Sequence, residues 1–255
     1  MISSRFHRSL IQCPKCLNDI DAVIWDVINA DTDPDLKERL LLKIVQQQVC
    51  QNCGNDFVLA EPLLYCEPEH KLMIACIPET AEEADEISDN SASAAADGRK
   101  NAEKTADVDS PDLSAAINPA DLPDWHFRRF SDYNSLIETI HIYDHFCDDR
   151  LMAIVKVAIR TQGNLEPPTV DIRFLTADDT LMRFLAQSDS GDWFTVDYPT
   201  EIYLNTEAMF QKALPPEAGW LSPDSAFAAS LIRKQTAEME KNVRTSADAA
   251  MTARE

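Results

Sequence analysis

Glycine is scarce in this chain, with five in 255 residues. Loops that cradle phosphate groups use glycine where the backbone must approach the ligand closely. The sequence contains no G-x-x-x-x-G-K-[ST], no G-x-G-x-x-G and no G-x-S-x-G pattern. A phosphate-cradling loop is therefore hard to place, and no motif points to a nucleotide-dependent or hydrolytic enzyme.

Long apolar runs are also missing. No stretch of eighteen apolar residues occurs, so we expect no segment to span a membrane. The first residues, Met1–Arg5, lack the apolar region of a secretion signal. Seven cysteines, an odd number, without such a signal favour a reducing compartment. We expect a cytoplasmic protein.

Basic residues are outnumbered by acidic ones, 23 to 44, and the formal net charge is −21. Residues 1–78 carry 7 basic and 11 acidic side chains, a net of −4. A protein that grips nucleic acid needs cations to neutralise phosphates. The composition therefore disfavours nucleic acid as a partner.

Cysteines are concentrated in two C-x-x-C pairs, Cys13-Pro14-Lys15-Cys16 and Cys50-Gln51-Asn52-Cys53. Two such pairs predict a four-thiolate tetrahedral site for one structural Zn²⁺, with Cys13, Cys16, Cys50 and Cys53 as ligands. Four protein thiolates close the coordination shell and leave no position for water or substrate. Because 33 residues separate Cys16 from Cys50, the fold itself must bring the pairs together.

Two other interpretations of these cysteines stay open. A redox C-x-x-C pair normally occurs once, so duplication is unexplained by that chemistry, and an iron–sulfur site is a further variant. Disulfides need an oxidising compartment, which the N-terminus does not indicate.

The residue after each cysteine pair bears on the geometry of the turn. Gly54 follows the second pair, whereas Leu17 stands where a glycine would be more comfortable after the first.

The remaining pattern predicts an α+β protein: a zinc-ribbon-like N-terminal module with a β-hairpin and one helix, an acidic linker, and a small α+β C-terminal domain with an αα-hairpin. We expect these domains at 1–78, 79–124 and 125–245, with a frayed tail over 246–255. The linker carries 13 acidic and 3 basic residues, a composition typical of disorder.

In the N-terminal module we expect strands over 9–12, 19–29 and 44–49, a helix over 34–43 begun by Asp33-Pro34, and a hairpin of 57–66 with 72–77. In the C-terminal domain we expect a short strand at 125–130, helices over 133–146 and 148–160, strands over 169–175, 180–187 and 192–197, and helices over 207–214 and 223–244.

Three further cysteines and two histidines could carry chemistry. Cys66 and Cys76 lie on opposing strands out of register for a bond, so buried free thiols are expected. His141 and His145 are four apart on a helix, but two histidines alone do not make a metal site. Cys147 falls on the apolar face of that helix, which favours packing over nucleophilic reactivity.

Residues 1–78 resemble the CpXC-domain proteins of bacteria, and part of the C-terminal half resembles the same family. The matching residues are Cys13–Cys16, Trp25–Asp31, Asp33–Lys37, Cys50–Gly54, Pro62–Tyr65, Lys71–Ile74, Leu136–Glu138 with Ile140, and Asp148–Arg150. The resemblance implies a bacterial cytoplasmic protein with a zinc site at Cys13, Cys16, Cys50 and Cys53. We call the two C-x-x-C turns that contain these cysteines the knuckles. It implies no activity.

The interpretation that best fits these features is a zinc-binding protein that acts as a non-catalytic binding or adaptor protein through an unidentified protein partner. One alternative is a nucleic-acid or transcription-associated zinc ribbon, which the missing basic face disfavours. Another is an enzyme whose site lies outside the zinc module. The sequence leaves the oligomeric state open.

Overall fold

A computed structural model describes residues 2–78, 114–115, 117–162 and 165–252, without the side chains of 162 and 242–252. Contacts group the chain into two compact units, Met1–Leu136 and Ile137–Glu255. Both contain helices and sheets, which confirms the α+β class. Among the described residues, no helix combines the length and the apolarity needed to cross a membrane.

The first unit is built on a five-stranded sheet of order β1-β2-β5-β6-β7, beside a two-stranded sheet of β3 and β4. Its elements are β1 (Arg5–Gln12), β2 (Asp19–Asn29), α1 (Pro34–Leu41), β3 (Gln47–Val49), β4 (Asp56–Val58), β5 (Leu63–Glu67), β6 (Leu72–Cys76) and β7 (His126–Phe130), with single 3₁₀ turns at Pro68–His70 and Pro119–Asp121.

Strand β2 is the longest in this sheet and has the predicted bounds. It pairs with β1 in antiparallel fashion from Asp19 to Val27, and with β5 only over Val27–Asn29, in parallel. Its last three residues are buried, whereas its first half alternates between exposed and covered positions. Most of the β1–β2 hairpin therefore extends beyond the part of the sheet formed by β5, β6 and β7, and the turn of the hairpin lies at its far end.

Helix α1 begins at Pro34 as predicted, because proline fits the first helical position. Asp33 precedes it, but its side chain does not cap the helix; it accepts the Thr32 hydroxyl at 2.8 Å instead. The strand expected over 44–49 shortens to β3, since the chain turns at Lys43 with a φ of 60° and the Ile44 N–H bonds back to Arg39.

The predicted hairpin is correct in its second strand and wrong in the extent of its first. Asp56–Val58 pairs with β3, and only Leu63–Glu67 pairs with β6. Pro62, which has no backbone N–H, stands just before β5 and helps to separate the two strands. Within the hairpin, Cys66 lies opposite Met73 and Cys76 opposite Leu63, in the register expected.

Strand β7 was expected at the start of the C-terminal domain, but it pairs in parallel with β6 and completes the first sheet. The compact units accordingly divide at Leu136 and Ile137. The limits 1–78 and 125–245 stay a prediction about independently folding domains. Most of the predicted linker, 79–113 and 116, lies outside the described residues.

The second unit contains a three-stranded antiparallel meander, β8 (Thr169–Ala177), β9 (Leu181–Ser188) and β10 (Trp193–Pro199), in the order β10-β9-β8. Its helices are α2 (Tyr133–Asp144, which begins in the first unit), α3 (Asp149–Gln162), α4 (Glu201–Phe210) and α5 (Ser225–Thr252). All three predicted strands are confirmed.

The helices differ from expectation mainly at their ends. Asp132 caps α2 by accepting the Ser135 N–H at 2.9 Å, and Asp224 caps α5 through Phe227 at 2.7 Å. The helix expected over 207–214 lies at Glu201–Phe210. Helix α5 runs to Thr252, so its backbone continues through most of the tail predicted to fray; residues 253–255 lie outside the described part.

The predicted αα-hairpin is held by a largely buried ion pair. The Lys156 ammonium donates to both carboxylate oxygens of Glu138, at 2.8 and 2.9 Å, and the Phe174 N–H donates to Glu138 at 2.7 Å. This carboxylate thus links α2, α3 and β8. Removing one partner of such a pair costs about 3–5 kcal/mol, so this contact is a structural requirement of the second unit.

A candidate metal centre

Each C-x-x-C pair occupies the turn of a β-hairpin. Cys13–Cys16 joins β1 to β2, and Cys50–Cys53 joins β3 to β4. The two hairpins belong to different sheets of the first unit. The sulfur atoms of the two turns converge in the folded unit. The fold thus brings together two halves of one site that are separated by 33 residues in the sequence.

The two turns have the same hydrogen-bond pattern. In the first, the Cys13 N–H donates to Asn18 O and the Leu17 N–H donates to Cys13 O, both at 2.9 Å. In the second, Cys50 bonds to Asn55 O and the Gly54 N–H to Cys50 O, both at 2.8 Å. Such repetition is typical of a loop shaped to present two side chains to one point.

The residue after each pair adopts a left-handed conformation, with φ of 59° at Leu17 and 67° at Gly54. This confirms that a glycine would suit position 17 better, because a Cβ makes this conformation costly by roughly 1–2 kcal/mol. Leu17 is one of four described non-glycine residues with a positive φ, together with Lys43, Lys71 and Phe146, so the fold tolerates such strain at several turns.

The four sulfur atoms lie within 4.8 Å of one another. Cys13 Sγ is 3.7 Å from Cys53 Sγ, and Cys16 Sγ is 3.6 Å from Cys50 Sγ. A tetrahedral site with Zn–S bonds of about 2.3 Å would place its sulfurs about 3.8 Å apart. The arrangement therefore fits one tetrahedral metal ion.

The same distances argue against disulfides. A disulfide requires an S–S separation of about 2.05 Å, and the two sulfur pairs measured here are 3.6 and 3.7 Å apart. All seven cysteines are free thiols in the structure.

The surroundings of the sulfurs are asymmetric. Cys13 and Cys50 are buried, whereas Cys16 and Cys53 are partly exposed. Hydrogen bonds from the Asn18 backbone and from the Asn52 amide, whose Nδ2 lies 3.7 Å from Cys16 Sγ, lower the pKa of Cys16 to about 6. That thiol is the one most readily ionised for metal binding.

At Cys53 the balance is opposite. The Asn55 backbone N–H lowers the pKa of its thiol, but burial and hydrogen bonds with the other three thiols outweigh that and raise the pKa to about 12. Four close thiols cannot all ionise without a cation between them, because like charges repel. The cluster thus has the electrostatic need that a divalent metal satisfies.

Two glutamines hold the second hairpin against the first. Gln46, which is buried, accepts the Trp25 N–H through Oε1 at 3.2 Å and donates to Trp25 O through Nε2 at 3.0 Å. Gln48 donates to Val23 O at 3.2 Å. These side chains bond the backbone of β2 at Val23 and Trp25. Both residues lie between the Cys13–Cys16 turn and the end of β2, Val27–Asn29, which pairs with β5.

These glutamines were not among the residues predicted from the sequence to belong to the site. Their signal is the run Gln46-Gln47-Gln48 just before the second cysteine pair, within a segment whose neighbours Val45 and Val49 are apolar. A polar residue there looks like surface, and only the position of β2 shows that Gln46 points inward.

The other candidate residues are structural. Burial raises the pKa of Cys66 to about 11 and that of Cys76 to about 12, so both stay protonated. Cys147 packs against the core of the second unit, and its pKa is raised to about 11 by burial and by Glu207 and Asp148. None of the three has the depressed pKa of a reactive thiol.

Of the two histidines, His145 has both ring nitrogens engaged within the protein. His145 uses Nδ1 with His141 O at 2.8 Å and Nε2 with the Thr176 hydroxyl at 2.9 Å. Its ring also packs edge-on against Phe174. With both nitrogens occupied, His145 serves as a brace between α2 and β8.

Two hairpin tips that present four thiols to one point define a zinc-ribbon-like module. Comparison with known families matches residues 11–156, more than half of the chain, to the family described as CpXC protein. The chain belongs to the CpXC protein family. No curated protein and no solved structure gives a match.

The glutamine brace can be tested by replacing Gln46 with leucine. Gln46→Leu keeps the bulk but leaves the Trp25 N–H and C=O without their partners, so we expect the free energy of unfolding to fall by about 2–4 kcal/mol. Gln47→Leu is the matched control, because Gln47 bonds the exposed Asp56 carboxylate. Chemical denaturation measures both; equal stability of the two variants would contradict the role assigned to Gln46.

Proposed function

We propose that this protein binds one structural Zn²⁺ through Cys13, Cys16, Cys50 and Cys53, and that it acts by binding a protein partner without catalysing a reaction. The observation that carries the first half is the convergence of four sulfurs within 4.8 Å, with two of the six sulfur–sulfur separations, 3.6 and 3.7 Å, close to the edge of a tetrahedral zinc site.

Zinc is favoured over other metals by the donor set. Four thiolates in a tetrahedral arrangement suit Zn²⁺ or iron, and Zn²⁺ has no redox chemistry to protect from solvent. Cys16 and Cys53 are partly exposed, which a redox-inert ion tolerates. Four protein ligands fill the coordination shell, so the ion would stabilise the fold and would not activate water.

The charges of the first unit argue against nucleic acid. Several of its cations already face carboxylates: Arg8 bonds Asp21 at 2.8 Å, and Lys37 bonds the buried Glu67 at 2.6 Å. Lysine and arginine side chains bind nucleic acid by displacing the counterions of its phosphates. Cations that already face a carboxylate contribute little to this binding. A nucleic-acid ribbon is the weaker alternative for this reason.

A protein partner is supported by the surface of β1. This strand forms an edge of the five-stranded sheet, where backbone groups are open to another strand. Phe6 and Leu10, two apolar residues on one face of β1, are 50% and 75% exposed. Exposed apolar side chains on an open edge favour pairing with an extended protein segment.

The enzyme alternative has no comparable support. Outside the two C-x-x-C pairs, burial keeps the described thiols protonated. In the second unit, the buried Glu138 carboxylate accepts from Lys156 and from the Phe174 N–H. These groups are fixed in structural contacts, which leaves them poorly suited to proton transfer or nucleophilic attack.

Metal content tests the first half of the proposal. Protein purified under reducing conditions should contain one zinc per chain by elemental analysis. Cys13→Ser and Cys50→Ser should lose it, together with cooperative unfolding of the first unit, since binding and folding of a four-thiolate site are coupled. Cys66→Ser is the control, because Cys66 is a buried cysteine outside the cluster. Zinc retained in both knuckle variants would contradict the ligand assignment.

Site-specific crosslinking tests the second half. A photoreactive residue at position 10 should crosslink to protein in cells that express the chain, and Phe6→Glu should suppress the adduct by placing a charge on the same apolar face. The same photoreactive residue at Leu204, which is similarly exposed in the second unit, is the control for random collision. Crosslinking of position 10 to nucleic acid would overturn the assignment of the partner.

A further inference from the structure

A second concave site lies in the first unit, apart from the four cysteines. It is a cleft of about 350 Å³ between the end of α1, the segment after β4 and the start of α2. Its walls include Leu40, Val45, Val58, Leu59 and Ala60. This volume falls at the lower end of the range, about 300–1,000 Å³, that small-ligand sites occupy.

The polar groups in its floor are already satisfied. The amide of Gln46 bonds both backbone atoms of Trp25. The Tyr133 hydroxyl donates to Glu61 O at 2.7 Å, and burial raises its pKa, so it stays a neutral donor. The floor therefore offers carbon surface, and a ligand gains there by burying apolar groups.

One cation lines this apolar cleft. Lys43 is exposed, and its Nζ lies 2.5 Å from the neutral Oδ1 of Asn134. Among the residues that the structure describes, no ion pair neutralises it. By contrast, Arg8, Lys37 and Lys71 of the same unit each face a carboxylate. The chain has nearly twice as many acidic as basic residues. An ammonium beside apolar walls therefore favours a ligand that is both apolar and anionic.

We propose that this cleft binds an apolar carboxylate, with the hydrocarbon body against Val58, Leu59 and Ala60 and the carboxylate on the Lys43 ammonium. Because Lys43 is exposed, its attraction for the carboxylate is modest, and most of the binding free energy comes from burying the hydrocarbon body. Two sources share this chemistry: a free medium-chain acid, and the C-terminal residue of a polypeptide that ends in a large apolar side chain.

Binding of octanoate to the zinc-supplemented full chain tests the site by calorimetry and amide NMR. Octanoate should bind, shift the amide signals of Val45, Leu59 and Ala60, and bind about three- to fivefold more tightly than octanol, since only the acid can pair with the exposed Lys43. Acetyl-alanyl-leucine and its C-terminal amide form the second arm. Tighter binding of the peptide acid than of octanoate identifies a polypeptide C-terminus as the source, and the reverse identifies a free acid.

Three variants, one of them a control, separate the contribution of the charge from that of the shape of the cleft. Lys43→Met should abolish the preference for octanoate over octanol, whereas Lys71→Met, which removes an exposed lysine elsewhere in the unit, should leave it unchanged. Ala60→Trp should fill the cleft and weaken both ligands at least tenfold while metal content and the far-ultraviolet spectrum stay the same. Equal affinity for octanoate and octanol, shifts away from the cleft, or no binding of any probe would overturn the proposal.

Discussion

Four sulfur atoms must meet within 4.8 Å, and the organisation of the first unit depends on that requirement. Two sulfurs come from the β1–β2 turn and two from the β3–β4 turn, so neither hairpin has a complete site alone. Bringing four thiols together is unfavourable without a cation, because the ionised forms repel one another and the neutral forms bond sulfur weakly. The raised pKa of Cys53, to which burial and the other three thiols contribute, reflects this conflict.

Strand β2 connects the candidate metal site to the rest of the unit. Its start carries Cys16 through the first turn, its middle is bonded by Gln46 and Gln48, and its end pairs with β5 in the buried sheet. An ion that fixes the hairpin tips therefore fixes β2, and through it the central sheet. This continuity suits a binding protein, since β1, paired along β2, presents its exposed edge in a defined position.

The parts that could be predicted are those with local signals. The C-x-x-C pairs, the bounds of β2, the strained Leu17 and the meander of the second unit follow from spacing, alternation and turn residues. What could not be predicted depends on distant partners. Strand β7 pairs with β6 across a segment of almost fifty residues, and Gln46 becomes an interior residue only because β2 lies beside it. A single sequence carries no local record of such pairings.

X-ray absorption at the zinc edge of the purified protein tests the central claim most directly, because it counts the ligands of the metal. One tetrahedral ion held by the two hairpin tips predicts a single shell of four sulfurs at about 2.3 Å, without nitrogen or oxygen neighbours. A shell containing nitrogen or oxygen at about 2.0–2.1 Å would show that the ion binds elsewhere or through fewer cysteines. That result would contradict the account of the first unit.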